Sequence, residues 1–401
     1  MDIISWTITA IGIGATSIGI LFSLFQYLNK KGSSKVFVVK KSLIISSGVT
    51  LILYSLGIVF WVKPENNNLE QLLVNTEIVL DCSESMKGQF DGQTKLEAAK
   101  DVISKILYEE IAEGDNLAFR KFGGPCDGKN NYLEVKFSTN NETNVRDALT
   151  GLEPSGKATL LDAIIEATGD FNNIEQFKGV NKRIIVVIGS GDSCVTNPEH
   201  GIRHRLKNVS SLEDSIELSF RFIGMGISSV QKNEFEKIAS ETGGDSKALF
   251  VDTKKDLENV LSKTLVIEPF VIGADTVLIV FNHVVTQLDE IIVNLNQQDF
   301  LSARNKLEFA RKEFERTNIV LQELVKRQRK GKFYKLLRLA KSNKDEQKRL
   351  IKLSETMLEL VKEGKISEYN KLTSAWNKHR DTYNRQITEI NKILNELRNQ
   401  N

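Results

Sequence analysis

The chain has 401 residues, of which 41% are hydrophobic and 26% charged, and a formal net charge of +2. These values exclude an intrinsically disordered protein and leave room for two or more domains, each with its own core. The near-neutral balance excludes a strong electrostatic preference for the whole chain, and three cysteines are too few for a disulfide framework.

No charged residue occurs between Ile3 and Leu28, and a second uncharged run extends from Leu43 to Val62. Each supplies the roughly 20 apolar residues needed to cross a bilayer core, so residues 1–28 and 43–62 are predicted transmembrane helices. The intervening 29–42 carries Lys30, Lys31, Lys35, Lys40 and Lys41 and no acid. By the positive-inside tendency this loop faces the cytoplasm. The N-terminus and everything after Val62 are then expected outside, in a multi-pass protein of the cell membrane. A cleavable signal peptide is disfavoured, because no basic stretch precedes the first run. Residues 63–73, with Pro64-Glu65-Asn66-Asn67-Asn68, form a polar linker.

From 74 to 266, strand-like and helix-like patterns alternate. Apolar runs fall at Thr76–Leu80, Leu117–Phe122, Leu133–Phe137, Arg183–Ile188, Leu218–Ile223 and Ala248–Val251. Helical patterns fall at Lys95–Glu110, Leu160–Phe171, Gln231–Thr242 and Lys254–Leu265. This order predicts an α/β domain, a doubly wound and mostly parallel sheet with helices on both faces. In such sheets ligands bind at the carboxyl ends of the strands. The first run ends in Asp81-Cys82-Ser83-Glu84-Ser85-Met86. One carboxylate and two hydroxyls on alternate residues are hard oxygen donors of the kind a small divalent cation takes. A loop that caps its own backbone would use the same side chains.

Asp-x-Ser-x-Ser after a buried strand resembles the metal-ion-dependent adhesion site of the von Willebrand factor type A family. The resemblance continues through Thr242-Gly243-Gly244 and Asp252–Leu261 and covers nearly all of 74–266. It implies three loops sharing one cation, Mg²⁺ with Mn²⁺ or Ca²⁺ as substitutes, and a partner protein completing the coordination with an Asp or Glu. Asp81, Ser83 and Ser85 match the first loop. The second loop, Pro154–Ile164, has Ala158 at the usual threonine position and Thr159 one residue later. The third, Ile184–Cys194, has Gly189 at the usual aspartate position and Asp192 three residues later. A one-residue shift at a helix start turns a side chain by about 100°. Thr159 and Asp192 therefore either reach the cation through remodelled loops or act as a helix cap and a turn residue.

The implied chemistry is protein binding and not catalysis. The four histidines form no compact pattern, and His200-Gly201-Ile202-Arg203-His204 lacks the glutamate of a zinc protease motif. The competing expectation is a metal-free scaffold. Some bacterial extracytoplasmic members of the family carry one cysteine in each of two strand-end loops. The resemblance thus implies a Cys126–Cys194 disulfide, in keeping with an outside location, and leaves Cys82 as a core thiol.

Ile267-Glu268-Pro269-Phe270 is expected to end the last helix of this domain, with 267–285 linking it to a helical region over 286–401. Apolar Val277–Val285 starts a long helix or, alternatively, forms a third or re-entrant span. Heptad-like seams run over Phe300–Leu324, Leu336–Val361 and Tyr369–Leu397, with a break at Lys330-Gly331-Lys332. They predict three amphipathic helices in an antiparallel bundle, or a coiled coil through which copies self-associate. His379 sits on the third seam as a packed residue. This region holds 25 Lys and Arg against 16 Asp and Glu, a net of +9 centred on Lys326–Lys332. Such charge suits an acidic partner, anionic polymer or lipid head groups, or a solvated helix end. Nucleic acid is not expected outside the cell.

Overall fold

The computed structural model describes residues 74–111, 115–126, 131–171, 181–195, 218–242, 244–326 and 333–399, and all of these fall in one compact unit. The two predicted spans, the loop 29–42, the linker 63–73, His200, His204 and the basic run 327–332 lie outside the described residues.

Six strands form one sheet: β1 (Val74–Asp81), β4 (Asn116–Phe122), β5 (Tyr132–Thr139), β6 (Asn181–Ile188), β7 (Leu218–Met225) and β8 (Lys247–Val251). A separate small hairpin pairs β2 (Gln89–Phe90) with β3 (Gln93–Thr94). The sheet order is β5-β4-β1-β6-β7-β8. All neighbours are parallel except β4 and β5. β1 and β6 are buried on both faces, so their inner segments Ile78–Leu80 and Ile184–Ile188 read as continuous apolar runs rather than as alternation. Ile78, Leu80, Ile185 and Val187 enter one core, under α1 (Lys95–Glu109) and α5 (Lys254–Ser262). Val79, Ile184, Val186 and Ile188 enter the other, under α3 (Leu160–Asp170) and α4 (Ser229–Thr242). Thr94 starts α1 with a capping box, its side chain accepting from the Glu97 N–H while Glu97 reaches back. Chain order reverses between β1 and β6, so the crevice of this doubly wound sheet opens at their carboxyl ends.

One helix escaped the sequence reading. α2 (Glu142–Thr150) buries only Val145 and Leu149, too few apolar positions to show a period.

The expected linker over 267–285 is corrected to helix. α5 passes through a π-helical turn, Lys263–Ile267, directly into α6 (Glu268–Asn296). Pro269 does not stop it, because the π-helical turn immediately before it locally changes the hydrogen-bond ladder in which the missing N–H would take part. α6, α7 (Phe300–Lys326), α8 (Tyr334–Lys362) and α9 (Ile366–Arg398) then pack as four helices, the three expected ones joined by the long helix expected from Val277, which begins earlier. The stretch 254–296 is apolar and long enough to cross a membrane, but 72% of its most apolar window is buried within the protein.

The heptad seam of α7 is used inside the chain, where Ala303, Leu307, Ala310, Leu321 and Leu324 are buried. Two polar side chains in the bundle interior donate inward: Gln347 Nε2 to the Phe281 carbonyl at 2.9 Å, and Trp376 Nε1 to Ser354 Oγ at 3.1 Å. His379 is half-buried as expected, with Nδ1 2.7 Å from Glu346 Oε2.

Candidate functional site

The loops after β1, β4 and β6 and the segment leading into α3 are joined by their backbones, the β6 loop through Ser193 N–H donating to Ala158 O at 2.9 Å. Cys82 N–H donates to Phe122 O at 2.7 Å, Ser155 N–H to Cys82 O at 2.8 Å and Glu84 N–H to Gly156 O at 2.9 Å. Gly124 and Lys157 exchange two hydrogen bonds at 2.9 and 2.7 Å. Gly156 has φ +68°, and a Cβ there would stand 2.4 Å from Gly124 Cα, so only glycine allows this approach. Cys126 and Cys194 are joined by a disulfide that ties the loop after β4 to the loop after β6. Cys82 is buried with its thiol pushed up to about 12, chiefly by burial.

Asp81, Ser83 and Ser85 come together as expected. Ser83 Oγ and Ser85 Oγ are 2.8 Å apart, and Ser85 Oγ donates to Asp81 Oδ2 at 3.3 Å. Asp81 is fully buried, and its oxygens are occupied from within: Oδ1 accepts from Ser83 N–H at 2.8 Å and Oδ2 from Gly189 N–H at 3.0 Å. Burial raises its pKa, and these N–H donors work against that rise.

Thr159 and Asp192 are directed elsewhere. Thr159 Oγ1 donates to Asn131 Oδ1 at 2.8 Å. The Asn131 carbonyl in turn faces Arg120 Nη1 at 3.5 Å. Asp192 caps α3 from a distance, Oδ2 accepting from Leu161 N–H at 2.8 Å, and shapes its own turn, Oδ1 accepting from Cys194 and Val195 N–H at 2.7 and 2.9 Å. Of the two roles open to these residues, Asp192 takes both cap and turn. Thr159 stands at the N-cap of α3 without capping it.

Residues 76–192 match the family model of the von Willebrand factor type A domain. The chain carries a von Willebrand factor type A domain. Domains of this family are generally modules for protein interaction, often metal-dependent. Over 199 residues the chain is 25% identical to the uncharacterized protein YwmC of Bacillus subtilis, spanning 47% of this chain and 82% of that protein. A von Willebrand factor type A structure from Catenulispora acidiphila aligns at 17% identity and TM-score 0.34, covering 48% of this chain and 43% of that one. Proximal thread matrix protein 1 of the mussel byssus, with a zinc-occupied adhesion motif, aligns at 15% identity and TM-score 0.34, covering 48% and 44%. The chain thus spans less than half of these two solved chains.

The residues present in this type A domain do not fit a resident divalent cation. Ala158 offers a buried methyl group and Gly189 offers no side chain at all. A Cβ at Gly189 would lie 2.6 Å from Met86 Sδ, 3.1 Å from Ser85 Oγ and 3.3 Å from Lys95 Cδ, so other side chains occupy the place of a third-loop ligand. Lys95 is only 9% exposed. Its Nζ donates to Gly189 O at 2.7 Å and to Gly226 O at 3.2 Å, bridging the ends of β6 and β7. Burial lowers the Lys95 pKa, and the Asp81 charge acts against that. A fixed ammonium repels a second cation, and one internally bonded carboxylate is a poor anchor for one.

Sequence reasoning missed Lys95, because a lysine after a helix cap ordinarily points into solvent. It also missed a buried ion cluster on the α3 face. Arg120 Nε pairs with Glu77 at 3.0 Å and Nη1 with Glu166 at 2.7 Å, while Nη2 contacts Asp170. Burial, with the Asp170 charge second, lifts the Glu77 pKa well above its ordinary value, and Arg120 opposes the rise. Glu166 and Asp170 sit one turn apart on α3, a spacing that reads from sequence as a solvated face.

Proposed function

We propose that the chain is a membrane-anchored, non-catalytic protein-binding scaffold whose type A domain meets its partner at the carboxyl edge of the sheet without a coordinated cation. The observation that carries this reading is the place of Gly189: its N–H holds Asp81, its carbonyl holds the Lys95 ammonium, and it has no side chain for a metal. The competing reading has Mg²⁺ held by Asp81, Ser83 and Ser85 and completed by a partner's Asp or Glu. The close grouping of those three side chains supports it.

Cation titration separates the two. With Mg²⁺ or Mn²⁺ added to the full chain, calorimetry is expected to show no saturable heat and thermal melts no shift, in wild type and Asp81→Ala alike. Saturable binding that Asp81→Ala abolishes would establish the competing reading.

The location outside the cell rests on the two uncharged N-terminal runs with their lysine-rich connection and on the Cys126–Cys194 disulfide, which an oxidising compartment permits. The bundle's exposed apolar side chains, such as Leu301 and Phe309, are where self-association would occur, since the seams are filled within the chain. Lys348→Cys adds a surface thiol to a chain whose other cysteines are bonded or buried. A membrane-impermeant maleimide is expected to label it in intact cells; labelling only after lysis reverses the topology.

A further inference from the structure

At the opposite edge of the sheet, the amino ends of β6, β7 and β8 face α6 and the end of α9 across a cavity of about 560 Å³. Two guanidinium groups are buried there, the side chains of Arg183 and Arg221 being 4% and 1% exposed. They share a single carboxylate oxygen. Glu268 Oε2 lies 3.1 Å from Arg183 Nη1, 3.1 Å from Arg221 Nε and 3.0 Å from Arg221 Nη2. Arg183 Nη1 also donates to Thr264 O at 2.6 Å. Asp245 takes Arg221 Nη2 on one oxygen at 2.7 Å and Lys247 on the other at 3.0 Å. Asp275 takes Arg398 at 2.5 Å, joining α6 to the end of α9.

Lys263 also lines the cavity, so five cationic side chains stand against three carboxylates. The imbalance has a specific locus. Arg183 Nε is buried and has no hydrogen-bond partner. Leaving a charged donor unsatisfied in the interior is costly. Burial, together with the neighbouring Arg221 charge and against that of Glu268, brings the Arg183 pKa down to about 10. Apart from Asn259, the rest of the wall is apolar, with Val271 from α6 and Leu397 from α9. A volume of this size and mixed lining lies within the range of small-molecule sites.

We propose that this cavity binds a small organic anion, whose carboxylate or phosphate pairs with Arg183 while its apolar part lies against Val271 and Leu397. Such a ligand supplies the missing negative charge and touches both the sheet and the bundle, so its binding stabilises their junction.

The test uses the full chain, with thermal melts and calorimetry in inorganic phosphate and in hexanoate at constant ionic strength. Hexanol and chloride serve as controls. A saturable rise in Tm with phosphate, hexanoate or both is expected, and none with either control; phosphate alone points to a phosphorylated ligand, tighter hexanoate to an aliphatic carboxylate. The double variant Lys247→Glu/Lys263→Glu leaves both buried arginines in place and should weaken binding at least tenfold. Lys263→Gln alone, a milder change, should weaken it about threefold. Absence of saturable binding by both anions, or binding indifferent to Lys263→Gln and to the charge reversals, overturns the assignment.

Discussion

Arg120→Met is expected to lower the unfolding free energy by about 3–5 kcal/mol, the cost of breaking a buried ion pair from one side. The guanidinium is 4% exposed and the Glu77 side chain fully buried on the neighbouring strand, so no solvent screens the loss. Adding Glu77→Gln should recover part of the stability, because the uncompensated charge is then gone. The pH dependence has a definite sign. Burial already holds the Glu77 pKa above its ordinary 4.5, so its stabilising contribution is present below that value and is lost as pH rises through the folded one. Without Arg120 the folded pKa rises further. The Arg120→Met deficit should therefore be larger at pH 8 than at pH 5 in denaturant unfolding. The opposite trend would show that Arg120 is not the main counter-charge of Glu77.

Removing the disulfide is expected to have an effect of similar size. Cys126 and Cys194 are 68 residues apart, and the chain-entropy model gives about 4 kcal/mol for a loop of that length. The bond also ties together two of the three loops around Asp81, which the backbone bridge of Gly124 with Lys157 supports from one side only. Cys126→Ser/Cys194→Ser should lower Tm by on the order of 10 °C. Reductant should produce the same fall in wild type and none in the double variant, since the buried Cys82, with its thiol pushed up to about 12, stays unreactive. A wild-type melt unmoved by reductant would show that the two sulfurs are not bonded in the isolated protein.

The central strands of the sheet were legible because buried parallel strands carry short apolar runs bounded by polar loops, as in Ile78–Leu80 of β1 and Ile184–Ile188 of β6. The helices of the bundle were legible from their seams. The join between the two was not. Pro269 reads locally as a stop, and only the π-helical turn over Lys263–Ile267, together with the packing of α6 against α7 and α8, carries the helix past it. The site divides in the same way. Asp81, Ser83 and Ser85 lie within five residues, so their grouping is a local property of one loop.

Asp192 shows what a local reading leaves open. Its carboxylate serves Leu161, 31 positions earlier, and nothing near Asp192 in the sequence names that N–H. Lys95 bridges carbonyls 94 and 131 positions away, at Gly189 and Gly226. By itself the sequence determined the α/β class, the edge of the sheet where the loops gather, the pairing of Cys126 with Cys194 through a resemblance, and the departure of Ala158 and Gly189 from a ligand set. Only the tertiary structure decided what occupies the vacated position: a glycine N–H, a methionine sulfur and a lysine stem, brought from three separate segments. The physical reason is that propensity and periodicity are properties of neighbours along the chain, whereas the partner of a buried charge is set by whichever strands and helices the fold places beside it.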